Sequence, residues 1–196
     1  IIAAGAGTCA LIILFAPKMN SAMGVGLLSG ALTSTPAFAA ARGALEGKVT
    51  ADVFSQIAVG QAGGNIGQQF EKRGYPVLYI NTSQEDLDTL KNSKYVYHIT
   101  NGDGANKNRD KAKQLVIEDY DNIAAMIDKV VDSDILFVLF SSGGGTGSGS
   151  GPMLIDLLTG EGRQVGAVTI LPQAEESVKT QFNAYECFKE LINLDK

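Results

Sequence analysis

The chain of 196 residues has no tryptophan, one histidine, two cysteines and five prolines. Cys9 and Cys187 stand too far apart to form a ligand or redox pattern, and one histidine supports neither a zinc site nor a Ser-His triad. His98 sits in a β-like run and is expected to be structural. No basic stripe is present: the net charge is −5, residues 1–50 carry +2, and the remainder therefore carries −7. An acidic globular part argues against direct nucleic acid binding. The one basic cluster, Lys107 to Lys113, is interleaved with Asp110 and is expected to be a solvated helix face. Three familiar loop patterns are missing too. Without G-x-x-x-x-G-K-[ST] there is no P-loop, without G-x-G-x-x-G no usual dinucleotide fingerprint, and without G-x-S-x-G no hydrolase elbow.

What is present is glycine in the right places. Gly143-Gly144-Gly145-Thr146-Gly147-Ser148-Gly149 follows the apolar run Ile135 to Phe140, which reads as a buried strand. It precedes Pro152 and Met153 to Leu158, which read as a helix with proline in its first turn. A flexible Gly/Ser linker is the bland alternative. A linker, however, has no reason to join a buried strand to an amphipathic helix without a polar spacer. Strand, glycine loop and helix start together make a cradle for phosphate, because backbone N–H groups and the helix N-terminus face the anion. A second unit has the same design. Ile57-Ala58-Val59 leads into Gly60-Gln61-Ala62-Gly63-Gly64-Asn65-Ile66-Gly67, then a helix Asn65 to Arg73 that stops at Gly74.

The rest of the layout alternates. Val77 to Asn81 and Tyr95 to Ile99 read as strands, the latter at an edge, and Asn101 to Asn106 as a turn-rich loop. Arg109 to Val131 reads as one long helix with Glu118, Asp119 and Asp121 facing solvent. Val165 to Leu171 is the fifth strand. Glu176 to Asn193 is the last helix, with Val178, Phe182, Tyr185 and Ile192 on one face. Strands alternating with helices predict an α/β fold with a mainly parallel, doubly wound sheet whose ligand sits where the strand order reverses.

Here a resemblance becomes specific. Gly143 to Gly149, Gly60 to Gly67, Tyr79-Ile80-Asn81-Thr82-Ser83 and Glu176 stand in the order found in the tubulin/FtsZ superfamily of GTPases. Ser83, Asp86 to Lys91 and Tyr97-His98-Ile99 resemble the plasmid- and phage-encoded TubZ-like tubulins. The likeness covers residues 55–196. It implies a Rossmann-like GTPase domain, truncated, with strand order 3-2-1-4-5. It implies GTP or GDP as ligand and Mg2+ on the phosphates. The nucleotide-binding residues implied are Gly60, Gln61, Ala62, Gly63, Gly64, Asn65, Asn81, Thr82, Gly104, Ala105, Asn106, Ser142, Gly143, Gly144, Gly145, Thr146, Gly147, Ser148, Glu176 and Asn183. Of these, Gly104 to Asn106 belong to the loop that senses the γ-phosphate, and Glu176 matches the ribose contact. Simple helix surface is an equal alternative for Asn183. The arginine that FtsZ carries near Thr180 is absent. In this family a loop of the next subunit completes hydrolysis. This chain is expected to lack that acidic loop, the sixth strand and the central helix, to bind GTP weakly or not at all alone, and to hydrolyse it poorly; no catalytic residue is expected within it. The resemblance also implies self-association into filaments in the full-length parent, a DNA-bound adaptor as a further partner, and a cytoplasmic location.

Residues 1–50 read differently. Ile1 to Pro17 and Met19 to Ala41 are uncharged and apolar or small, near the ~20 residues that span a bilayer. Gly30 to Ala37 resembles a motif of the aspartate:alanine exchanger family of membrane antiporters. A signal-peptidase site at Ala37-Phe38-Ala39 and a buried helical hairpin are the rival readings. The expectation is a hydrophobic, membrane-capable helical segment at 1–50 before a GTP-binding part at 51–196. Membrane association would run through residues 1–45. A chimeric join near Val53 to Gly60, and an antiporter fragment as alternative function, follow from the same likeness.

Overall fold

The computed structural model describes residues 54–194 except 132 and 134. The hydrophobic segment at 1–50, the exchanger likeness and the signal-peptide alternative lie outside these residues.

β1 (Phe54–Val59) turns directly into α1 (Gly60–Glu71). β2 (Val77–Asn81), the short α2 (Gln84–Asp88) and β3 (Tyr95–His98) follow. Next come α3 (Arg109–Glu118), α4 (Tyr120–Val130), β4 (Ile135–Ser141), α5 (Thr146–Gly160), β5 (Gln164–Ile170) and α6 (Val178–Leu194). The strands form one parallel sheet in the order β3-β2-β1-β4-β5. The expected 3-2-1-4-5 order is thus observed, and β1 and β4 are neighbours at the point where the winding reverses.

Strand alternation sorts the core. Ile57, Val59, Leu78, Ile80, Leu136, Val138 and Phe140 face one side, where Val116, Ile123, Ile127, Leu154, Leu158 and Cys187 cover them. Ala58, Val77, Tyr79 and Leu139 face the other, under Ile66, Phe70, Leu87 and Leu90. Burial pushes the Cys187 thiol up to about 11, so it behaves as a small apolar side chain.

Several boundaries correct the sequence reading. Gly60 to Gly67 is not a loop: the helix starts at Gly60, whose φ of +71° makes the whole turn out of β1. Glycines 63, 64 and 67 then face the sheet and let α1 lie close to it. Pro152 is not in the first turn but inside α5, which begins at Thr146. The last helix presents Val178, Phe182, Tyr185 and Ile192 outward and buries Thr180, Asn183, Ala184 and Cys187 instead. β5 is an edge strand with Val168 and Ile170 exposed.

The expected single helix from Arg109 to Val131 bends at Asp119, which leaves helical geometry at φ −109°, ψ 11°. Asp119 does not face solvent as expected but is 3% exposed. Tyr97 Oη and the Thr100 N–H each donate to its Oδ2 at 2.7 Å, and Asn122 Nδ2 donates to Oδ1 at 2.7 Å. Burial alone would raise the pKa of this carboxyl, but the bonds from Asn122, Thr100 and Tyr97 outweigh it and hold it below the usual range. A carboxylate with a lowered folded pKa stabilises the fold above its unfolded value, about 3.9, and that contribution disappears as pH falls through the folded value. Urea midpoints measured from pH 5 to 2 should therefore fall more steeply for the native chain than for Asp119→Asn. Parallel curves would contradict this assignment.

Candidate nucleotide-binding cleft

The carboxyl ends of β4 and β5 open onto one cleft. Ser142 extends the β4–β5 pairing: its N–H and its hydroxyl both donate to the Ile170 carbonyl at 2.9 Å. The chain then enters the Gly143 to Gly145 turn. Asn183, 1% exposed on α6, clamps that turn. Its Nδ2 donates to the Gly144 carbonyl at 3.0 Å, the Gly143 carbonyl at 3.3 Å and the Lys107 carbonyl at 3.1 Å. A planar trans peptide points its N–H opposite its C=O. Pinning the two carbonyls toward Asn183 therefore turns the N–H groups of Gly144 and Gly145 the other way. The first N–H groups of α5, from Thr146 on, have no intrahelical acceptor and carry the positive end of the helix dipole. The result is a row of oriented donors suited to an anion.

Several other expected residues meet this turn. Thr82, fully buried at the end of β2, shares a 2.8 Å hydrogen bond with the Thr146 hydroxyl. Gly60 lies against Gly147: a Cβ on it would be 3.3 Å from the Gly147 nitrogen. Gly145 is pressed by the loop from Gly104 to Lys107, with Ala105 Cβ at 2.9 Å and the Lys107 nitrogen at 2.8 Å from a Cβ built there. Asn106 and Lys107 both take left-handed φ values, 47° and 57°, a costly backbone found where surroundings impose it. Ser148 turns inward, its hydroxyl donating to the Gly144 carbonyl. A cleft of about 270 Å³ lies here, lined by Ala62, Ser141, Gly143, Gly144, Pro172, Glu176, Thr180 and Lys107 among others.

Five expected residues, Gly60, Gln61, Gly64, Asn65 and Asn81, line a second, smaller depression with Tyr79 and Leu87. Asn81 is 2% exposed, with its Nδ2 donating to Asp86 at 3.1 Å and its Oδ1 accepting from the Ser83 N–H at 3.2 Å. Burial, with Glu71 accepting its hydroxyl proton at 2.8 Å, raises the Tyr79 phenol well above its usual value.

Reading the Lys107–Lys113 cluster as a solvated face missed Arg109, while Lys107 is exposed as expected. Arg109 is 7% exposed. Its Nε and Nη2 donate to the Ser148 carbonyl at 3.2 and 3.0 Å, and Nη2 pairs with Glu190 at 2.8 Å. Ser148 is four residues before Pro152, so its carbonyl is the one that the missing proline N–H cannot serve. Lys107 is nonetheless tied at its tip: its Nζ donates to Thr180 Oγ1 at 3.0 Å.

The tubulin/FtsZ family GTPase-domain model matches residues 54–195. The chain belongs to the tubulin/FtsZ family. Tubulin-like protein TubZ of Clostridium botulinum C phage is 37% identical over 145 residues, covering 71% of this chain and 40% of that protein. A tubulin-like CetZ of Pyrococcus abyssi is 34% identical over 139 residues, covering 65% and 38%. Among solved structures, CetZ2 from Haloferax volcanii, a GTPγS-bound protofilament, superposes with a TM-score of 0.66 at 28% identity, over 72% of this chain and 46% of that one. The chain thus spans about 40% of the length of the curated relatives it matches. None of these matches supports the exchanger likeness. Among the described residues no helix is long and apolar enough to cross a membrane.

Proposed function

We propose that residues 54–194 are the nucleotide-binding half of a GTP-binding, GTP-hydrolysing protein that polymerises. The observation that carries this is the Asn183-clamped turn, which aims N–H groups and the start of α5 into one cleft. The family supplies guanine as the base, and the GTPγS-bound CetZ2 and a GDP-bound CetZ1 from Haloferax volcanii support it. Phosphoryl transfer is mainly positioning and charge stabilisation. Here the backbone of Gly143 to Thr146 would hold the phosphates, Ala105 and Asn106 would close over the terminal one, and Glu176 would take the ribose. Asn183 acts through the turn.

Magnesium fits as an ion held largely by phosphate and water. Among the described residues no three His, Cys, Asp or Glu gather to bind a metal. The Thr146 hydroxyl, bonded to the buried Thr82, is a protein oxygen at the turn, and a hard cation that keeps its waters needs little more. When bound, it would neutralise the phosphates.

CetZ2 and a tubulin of phage PhiKZ form protofilaments, and we extend self-association to the full-length parent of this chain. The likeness to phage TubZ favours DNA segregation through a DNA-bound adaptor in the cytoplasm. The site-bearing part is expected to be weak in hydrolysis by itself.

A thermal-shift series at millimolar nucleotide tests the ligand. GTP and GDP should raise the melting temperature and ATP should not. At a hundred times its Kd a ligand adds about 2.7 kcal/mol of stability, a shift of several degrees. Equal shifts with ATP, or none with any nucleotide, would defeat the proposal.

A further inference from the structure

Lys107 is the side chain that the family reading leaves without a task. Its backbone is fixed from two sides: its nitrogen abuts Gly145, and its carbonyl accepts from Asn183 at 3.1 Å. Its left-handed φ of 57° throws the side chain across the cleft to α6. There the ammonium rests on two hydroxyls, Thr180 Oγ1 at 3.0 Å and Ser177 Oγ at 3.5 Å. The neighbouring cations are already spent: Lys111 on Asp103, and Arg109 and Lys113 on Glu190. Among the described residues no carboxylate pairs with Lys107, and it is the one cation lining the cleft beside Gly143 and Gly144. An ammonium held by neutral oxygens gains by exchanging them for an anionic one, since charge-assisted hydrogen bonds are about twice as strong as neutral ones.

We propose that Lys107 is the residue by which this site tells a nucleoside triphosphate from a diphosphate. With the diphosphate the ammonium stays on Thr180. With the triphosphate it moves onto the terminal phosphate, and the Ala105 to Lys107 loop is thereby released from α6. The charge needed there comes from the loop rather than from the helix that carries an arginine in FtsZ. This inference rests on the nucleotide reading above and adds to it the residue that sets the preference.

The test is equilibrium binding of GTPγS and GDP to the full chain and to Lys107→Met, Lys107→Arg and Thr180→Val. Lys107→Met should lower the triphosphate-over-diphosphate preference at least tenfold, chiefly by weakening GTPγS, at unchanged circular dichroism. Lys107→Arg should restore most of it. Thr180→Val removes the resting partner, keeps the packing against Gly143, and should leave or raise GTPγS affinity. Equal weakening of both nucleotides by Lys107→Met, or no weakening, would overturn the proposal, as would a loss of GTPγS affinity in Thr180→Val matching that in Lys107→Met. Failure of the native chain to bind either nucleotide would overturn the nucleotide reading itself, and this proposal with it.

Discussion

Gly63→Ala should lower folding stability by about 3 kcal/mol, the upper end of what overpacking a core usually costs. The added methyl would be driven into the Leu139 carbonyl oxygen, with the Leu139 carbon at 3.1 Å and Phe140 Cα at 3.3 Å. All three are backbone atoms of β4. That strand is paired on both sides, to β1 and to β5, and has no room to step aside. α1 would have to lift from the sheet, carrying Gly60 away from Gly147 and widening the cleft. Nucleotide affinity should therefore fall together with stability. Gly160→Ala is the internal control: a Cβ there meets nothing within 4 Å, and alanine favours a helix by up to about 1 kcal/mol over glycine. Urea denaturation of the two variants should separate them widely. A Gly63→Ala protein as stable as the Gly160→Ala protein would refute the packing argument.

Arg109→Met should cost about 2 to 3 kcal/mol, toward the lower end for breaking a buried ion pair because Glu190 is partly exposed and keeps Lys113. The loss has two parts. Glu190 forfeits one of its cations, and the Ser148 carbonyl forfeits the donors that substitute for the proline N–H. The second part can be isolated. Pro152→Ala returns an N–H to position 152 of α5, so Arg109→Met should be milder by about 1 kcal/mol in that background, the worth of one hydrogen bond. Identical costs in both backgrounds would show that the guanidinium does not serve Ser148.

These two positions also show what the sequence made legible. Strands were readable from short apolar runs or, for Tyr95–His98, from alternation, and Val77–Asn81 is found as expected. The strand–turn–helix unit around Gly143 was readable because glycine, strand and helix occur in immediate succession. The helical state of Gly60 to Gly67 was not, since glycine's poor helix propensity argues against it, and only packing against Ala58, Tyr79 and Leu139 overrides that preference. The bend at Asp119 was hidden because apolar spacing continues across it, from Val116 to Tyr120 and Ile123. Its cause is a set of donors on β3 and the loop after it. Arg109 looked solvated, and the contact of the exposed Lys107 stayed hidden, because local charge pattern was the only guide. Their partners, Thr180 and Glu190, are more than seventy residues away.

β1 and β4 are neighbours in the sheet, yet their paired residues lie about eighty positions apart in the chain. Contacts of such high sequence separation slow folding, because a long excursion must close before any of them forms. During synthesis β1, β2 and β3 leave the ribosome before β4 exists. One edge of β1 waits unpaired in that interval. The cleft is therefore among the last parts of the domain to come into being, and the nascent chain is most open to mispairing just before β4 and its glycine turn emerge.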